Sequence, residues 1–162
     1  MLLLGYHNLG GQDVKGRRTV WQVDGIVNLK GKRIDIGSGT NLSIHGSLYL
    51  GDHSTITGNS SVICRKSIRL EDDALISWDV LIMDTDFHTI TDEIGNILNS
   101  DEPIVISNHV WVGCRSTILK GTIIPRNSVI AAGSVITGKM SKENVIYTSC
   151  KRVLREDICW IR

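Results

Sequence analysis

The segment "MDTDFHTITDEIGNILNSDEP" holds the residues best suited to proton transfer. His88 follows Asp84 and Asp86 closely in the chain. An imidazole, which titrates near pH ~6.5, can take a proton from a hydroxyl group during attack and return it to a leaving group. Asp84, Asp86 or a backbone carbonyl could accept the other ring N–H and so orient this base. The simpler alternative is a solvated loop histidine without a chemical role.

Thiol and metal chemistry have less support. Cys64, Cys114, Cys150 and Cys159 form no CxxC pair and have no histidines at zinc-finger spacing. We therefore expect reduced, largely structural thiols and no metal. His109 stands at a turn position of the pattern described below, and we expect it to be a corner residue.

The composition narrows the class of protein. The chain has 162 residues, with 18 basic and 17 acidic side chains, and this balance favours neither nucleic acid nor an anionic membrane as a partner. Its start, "MLLLGYHNLGG", is a poor signal peptide, and no apolar run is long enough to span a membrane. We expect one cytoplasmic domain.

Aliphatic residues recur at every sixth position along much of the chain. The clearest series is Ile106, Val112, Ile118, Ile124, Ile130 and Ile136. A surface helix would repeat its buried face near every 3.6 residues and a strand every second residue, so a period of six indicates short extended segments separated by turns. Hexads of this kind are typical of a parallel β-helix, in which three hexads make one turn of 18 residues.

This geometry predicts aliphatic stacks through the interior. Ile106 should lie beneath Ile124, and Val112 beneath Ile130. The 16 glycines and single phenylalanine fit a narrow aliphatic interior with tight corners. We predict a β-helix over residues 34–138, a protruding loop at about 87–103, and a C-terminal tail over 139–162. Residues 1–33 could begin the helix, cap it or contact a neighbouring chain, and Trp160 and Ile161 suggest that the tail is docked.

The stretch "SNHVWVGCRSTILKGTIIPRNSVIAAGSVIT" resembles the hexapeptide-repeat acyltransferases, in particular the maltose/galactoside and polysaccharide O-acetyltransferases. The resemblance implies a left-handed parallel β-helix and a homotrimer with active sites between subunits. It implies acetyl-CoA as the acyl donor and a carbohydrate hydroxyl as the acceptor. His88 would be the general base, at the start of the protruding loop.

The resemblance also suggests which residues line the site. Trp111 would lie at the acceptor and thioester end of a groove between subunits, although packing against a neighbouring subunit explains it equally well. The ending "CKRVLRE" resembles the family's "CRVIRE" and suggests arginines for the nucleotide phosphates. The candidates for cofactor binding are Gly113, Cys114, Ala132, Thr137, Gly138, Lys139, Lys142, Arg152 and Arg155.

Three other functions stay open at this point. An amino-sugar N-acetyltransferase would use the same base and groove. A β-helix that has lost its catalytic site would serve as a scaffold. A γ-type carbonic anhydrase shares the fold, but it needs two histidines five residues apart, and the residue five after His109 is Cys114.

Overall fold

The structure is a computed structural model that describes residues 1–6 and 18–162. In chain order, its strands are β1 (Leu2–Tyr6), β2 (Val20–Val23), β3 (Ile26–Leu29), β4 (Ile34–Gly37), β5 (Asn41–Ile44), β6 (Ser47–Leu50), β7 (Ser54–Ile56), β8 (Ser61–Cys64), β9 (Ser67–Leu70), β10 (Leu75–Ile76), β11 (Leu81–Met83), β12 (Ile104–Ile106), β13 (Trp111–Val112), β14 (Thr117–Leu119), β15 (Ile123–Ile124), β16 (Val129–Ile130), β17 (Val135–Ile136), β18 (Ile146–Thr148) and β19 (Arg152–Arg155). A single 3₁₀ turn, Ser149–Lys151, separates the last two strands.

These strands form the three faces of a prism. Face A has the order β1-β4-β7-β10-β13-β16-β18-β19, face B has β17-β14-β11-β8-β5-β2, and face C has β15-β12-β9-β6-β3. Each strand pairs in parallel with the strands one turn before and after it, except that β19 runs antiparallel to β18. The fold is a left-handed parallel β-helix of about six turns, as predicted.

Aliphatic stacks fill the interior. Ile106 pairs with Ile124 and Val112 with Ile130, which confirms the 18-residue turn at the C-terminal end. The N-terminal turns are longer, because Ile56 pairs with Ile76, 20 residues later. The stacked residues are almost completely buried, and their burial is the main source of stability, at about 25 cal/mol for each Å² of apolar surface removed from water.

The corners combine left-handed backbone with buried hydroxyls. His109 has a φ of 55°, which confirms it as a corner residue, and Asn59 and Asn127 also have positive φ values. At another corner the buried Ser60 hydroxyl donates to the Ser77 carbonyl of the next turn at 3.1 Å. Such hydroxyls satisfy backbone groups where the strands end, so the prism closes without leaving these corner groups unpaired.

Both ends of the prism extend beyond the predicted range of 34–138. Strands β1, β2 and β3 pair with β4, β5 and β6, so the described parts of residues 1–33 begin the helix. Residues 7–17 of that segment lie outside the described residues. At the other end, β18 continues face A in parallel, because the alternation in "VIYT" carries the inward Tyr147 onto the stack.

A long loop leaves the prism between β11 and β12. Ile82 pairs with Ile118, 36 residues later, so this turn contains 18 residues more than the next one. The excess forms the predicted protruding loop, which folds back on itself at the Thr91–Ile97 bridge. Among the described residues, no helix is long and apolar enough to cross a membrane.

Candidate functional site

Asp84 stabilises the corner from which the loop departs. It is completely buried, and its two carboxylate oxygens accept hydrogen bonds from the backbone N–H groups of Arg65, Lys66 and Ser67 at 2.7, 2.9 and 2.7 Å. These three bonds tie the loop root to the preceding turn. They also correct one expectation, because the Asp84 carboxylate is committed to this corner and does not orient His88.

Asp86 is held at the loop root by a second set of contacts. Its Oδ2 atom accepts from the Asn99 amide at 2.9 Å and from Lys120 Nζ at 2.5 Å. The hydrogen bonds from Lys120 and Asn99 hold the pKa of Asp86 below its usual value, although burial acts in the opposite direction. Asp86 is therefore a carboxylate at neutral pH, paired with a cation from the following turn.

Asn99 joins the two ends of the loop. Besides Asp86, its Nδ2 atom donates to the carbonyl oxygen of His88 at 2.8 Å, and its Oδ1 atom accepts from the N–H of Ile90 at 2.6 Å. Lys120 Nζ donates to the Asn99 carbonyl at 2.7 Å. We call Asp86, Asn99 and Lys120 the loop clamp. It fixes the backbone on both sides of His88, and sequence reasoning missed two of its three members.

His88 itself is exposed beside the clamp. Its N–H donates to the Asp86 carbonyl at 2.7 Å, and its ring lines a shallow depression of about 270 Å³ together with Arg65, Phe87 and Asn99. Within residues 1–6 and 18–162, no hydrogen bond to the His88 ring is formed, so Asp86 acts on its backbone and not on its imidazole. The ring of His88 is therefore accessible from this depression.

Trp111 lies away from His88 within one chain. It is on β13 in face A, where its indole N–H donates to the Ser77 hydroxyl at 3.0 Å and its ring lies 6.1 Å from that of Trp160. The loop with His88 leaves between faces B and C. One chain therefore does not bring the two predicted residues together.

The predicted cofactor residues fall into two groups. Gly113 is buried, and a Cβ there would meet the backbone of Ala132 and Ile130 at 2.6 to 2.9 Å, so close packing of two turns requires glycine. Ala132 and Thr137 are exposed and Cys114 is half-buried. The first group thus lies on the last turns of the prism.

The second group is basic. Lys139 and Lys142 line one depression of about 280 Å³ together with Tyr147 and Lys151. Gly138 precedes these lysines in the chain and has a φ of 75°. This left-handed backbone allows the chain to leave face B after β17, Val135–Ile136. A hydrogen bond and the charge of Glu156, 2.5 Å away, raise the pKa of Lys142. Arg152 and Arg155 are exposed on β19 and do not line this depression.

A cluster of aromatic side chains that was not predicted from the sequence lies on face A. Trp160 stacks on His109 with ring centroids 4.0 Å apart and an interplanar angle of 6°. This contact confirms a docked tail at Trp160, whereas Ile161 is 92% exposed. The sequence indicated only a corner histidine at position 109, because Trp160 lies 51 residues away in the chain. In the described ranges, no group of three His, Cys, Asp or Glu residues is arranged to hold a metal ion.

Both the hexapeptide repeats and the fold of this chain are found in known proteins. Residues 103–138 match the family model described as bacterial transferase hexapeptide (six repeats). Structural neighbours include the polySia-specific acetyltransferase NeuO, with a TM-score of 0.69, 20% identity, and coverage of 90% of this chain and 83% of that one. A galactoside acetyltransferase in complex with coenzyme A has a TM-score of 0.58, 24% identity, and coverage of 82% and 64%. These likenesses confirm the fold.

Curated relatives confirm the resemblance predicted from the sequence. Galactoside O-acetyltransferase of Escherichia coli (strain K12) is 29% identical over 117 residues, which cover 70% of this chain and 56% of that protein. Polysialic acid O-acetyltransferase of Neisseria meningitidis is 31% identical over 106 residues, which cover 59% and 49%. The chain thus spans about half the length of these two relatives.

Proposed function

We propose that the chain is an acetyl-CoA-dependent O-acetyltransferase that modifies a sugar hydroxyl, with His88 as the general base. The observation that carries the proposal is the exposed imidazole of His88 on a loop whose backbone is clamped on both sides. The relatives with galactoside and polysialic acid acetyltransferase names support the acceptor class. A surface polysaccharide, its precursor or a small saccharide fits this proposal.

The proposed reaction needs no covalent enzyme intermediate. His88 takes the proton of the acceptor hydroxyl while its oxygen attacks the thioester carbonyl. The tetrahedral intermediate then expels the CoA thiolate, which receives the proton from the imidazolium, so an ester and free CoA are the products. Rigid placement of the base matters because a near-attack geometry supplies much of the rate.

The basic depression suits the phosphates of acetyl-CoA. Lys139, Lys142 and Lys151 place three ammonium groups around it, and Tyr147 adds an apolar wall. The neighbouring structure of a galactoside acetyltransferase contains coenzyme A, and another neighbour contains acetyl-CoA. Four free thiols, two of them exposed, suit a reducing compartment, so a cytoplasmic location is part of the proposal.

A homotrimer would bring the separated groups together. Trp111 and His88 lie on different sides of one prism, so a groove between two chains is the simplest arrangement that uses both. The loop supports such contacts, because Phe87, Ile90, Ile94, Ile97 and Leu98 are 55–84% exposed in the single chain. We expect light scattering to give a trimer, and Ile94→Asp to weaken it, whereas Ile161→Asp, which changes an exposed isoleucine outside the loop, should not.

The function is tested by thiol release from acetyl-CoA with galactosides, sialic acid polymers and amino sugars as acceptors. We expect activity with a hydroxyl acceptor and a loss of about 10²–10⁴-fold in kcat for His88→Ala, with CoA binding unchanged. His45→Ala, at another exposed histidine, is the matched control. Full turnover in His88→Ala would reject the assignment of the base, and transfer confined to amino groups would make the chain an N-acetyltransferase.

A further inference from the structure

Two residues of the segment 158–162, Trp160 and Arg162, contact face A around His109. The ring of Trp160 lies flat on the His109 ring, and its indole N–H donates to the His109 carbonyl at 3.0 Å. Arg162 extends the contact, because its guanidinium donates to Asp73 Oδ1 at 2.7 Å, to the His53 carbonyl at 2.6 Å, and to the Thr55 hydroxyl. We call residues 158–162 the tail segment.

The His109 ring lies between two hydrogen-bond acceptors. Its Nδ1 atom is 2.6 Å from the Asp73 carboxylate, and its Nε2 atom is 3.1 Å from the carbonyl oxygen of Trp160. A neutral imidazole carries one N–H, so it can donate to one of these partners but must turn a lone pair towards the other. Both hydrogen bonds form only when the ring is an imidazolium. When the tail is docked with both hydrogen bonds formed, the His109 ring therefore carries one proton more than a neutral imidazole.

The Asp73 carboxylate faces both the His109 ring and the Arg162 guanidinium. Burial tends to raise the pKa of Asp73, but the hydrogen bonds from His109 and Arg162 outweigh it and hold this pKa below its usual value. Asp73 is thus an anion beside the His109 ring and the Arg162 guanidinium. Other charged or titratable groups lie on the neighbouring corners and strands: Asp52, His53, Asp72 and Arg33, the last of which pairs with Asp35 at 2.9 Å. On the following turn, Arg126 pairs with Glu143 at 2.8 Å.

We propose that the tail segment is a pH-dependent latch, docked while His109 carries both ring protons and released when it loses one. The sign follows from the count of protons. Because the docked form holds the extra proton, docking is favoured at acidic pH and weakens as pH rises. Loss of one bond to a charged group should lower the docking equilibrium constant about tenfold or more.

The latch has a defined effect on face A. Trp160 lies beside Trp111, so release uncovers one side of Trp111. A consequence for acyl transfer at Trp111 rests on the proposed function. Docking and release do not, and they can be measured without any substrate.

The test is NMR of the full chain with ¹⁵N-labelled histidine and tryptophan side chains, titrated from pH about 5.5 to about 8.5. We expect His109 to have both ring nitrogens protonated at the acidic end. As it loses a proton, the Trp160 indole signal should move towards that of a solvent-exposed indole over the same pH range. A neutral His109 with an unchanged Trp160 signal would overturn the proposal, as would a Trp160 signal that is exposed at every pH.

Two variants separate the latch from general effects of pH. His109→Asn preserves the corner, because asparagine tolerates a φ of 55°, but it removes the ring between the two acceptors. We expect its Trp160 signal to be exposed and independent of pH. His45→Asn removes a histidine that pairs with Asp24 elsewhere and should keep the wild-type transition. If His109→Asn retained the transition, another group would control docking and the proposal would be wrong.

Discussion

Lys120 Nζ lies 2.5 Å from the carboxylate of Asp86 and so joins the end of β14 to the root of the protruding loop. The lysine belongs to the turn after the loop, whereas the aspartate belongs to the loop itself. The prism, which is rigid because its turns are stacked, thereby holds a segment that is otherwise largely exposed. The geometry around His88 depends on this contact and on Asn99.

Removal of the Asn99 amide should loosen the loop clamp. Asn99→Ala loses the bonds to Asp86, His88 and Ile90, while Lys120 keeps its bond to the Asn99 carbonyl. The proposed base, His88, would be misplaced and not removed, so we expect kcat to fall about tenfold to a hundredfold, with little change in KM for acetyl-CoA. Steady-state kinetics measure this, with Asn96→Ala, elsewhere in the loop, as the control. Equal losses in both variants would mean that the loop as a whole, and not the clamp, matters.

The clamp should resist acid. The folded-state pKa of Asp86 is depressed by Lys120 and Asn99, so the contribution of Asp86 to stability is present above the unfolded value of about 3.9 and is lost only as pH falls through the folded pKa. We expect hydrogen exchange of the loop amides, corrected for intrinsic rates, to be constant from neutral pH down to about 4 and to rise below it. Asp86→Asn should abolish that acid step. A rise in loop hydrogen exchange near pH ~6.5 would instead indicate that a histidine, and not Asp86, controls the opening of the loop.

Gly113 should not accept a side chain. The Cβ of Gly113→Ala would lie 2.6 Å from the Ala132 nitrogen and 2.7 Å from the Ile130 carbonyl oxygen, and both are backbone atoms of the next turn. We expect a loss of about 1–3 kcal/mol in unfolding free energy, measured with denaturant. Gly133→Asn is the matched control, because its Cβ meets nothing within 4 Å and asparagine tolerates its φ of 70°. If Gly113→Ala left the unfolding free energy unchanged, the two turns would be able to separate and accommodate the added Cβ.

Cys64 should be chemically inert in the folded protein. Burial and, secondarily, the charge of Asp84 raise the pKa of its thiol to about 12, whereas Cys150 and Cys159 are exposed. Reaction with a thiol reagent at neutral pH should label the two exposed cysteines first and Cys64 only after unfolding. Mass spectrometry of the labelled peptides measures the order. Early labelling of Cys64 would mean that the corner held by Asp84 opens readily.

More of the fold than of the candidate site could be predicted from the sequence. The six-residue period of Ile106, Ile118 and their neighbours directly reports inward positions of stacked strands, so turn length and stack partners followed from it. The longer N-terminal turns were not predicted, and the start of the helix in residues 1–33 was only one of three possibilities, because Leu2 and Val20 lie in segments with no clear hexads.

The site depends on contacts between residues that are distant in the chain. Asp84 was one of three candidates to orient His88, but its oxygens face the N–H groups of residues 65–67 across one turn, and no local pattern reveals this. Asn99 and Lys120 also find their partners only when the loop folds back. A histidine at the root of a polar loop can be predicted, whereas the set of groups that holds it requires the folded chain.

The loop between β11 and β12 is as long as one complete turn of the prism, and so the chain contains a competing fold. Ile82 and Ile106 differ by 24 residues, so positions 88, 94 and 100 continue the inward register without interruption. If the loop wound as an additional turn, His88 and Ser100 would replace aliphatic side chains in a dry interior. Each unpaired polar group there costs roughly 1–3 kcal/mol. The polar residues His88 and Ser100 therefore disfavour a seven-turn alternative.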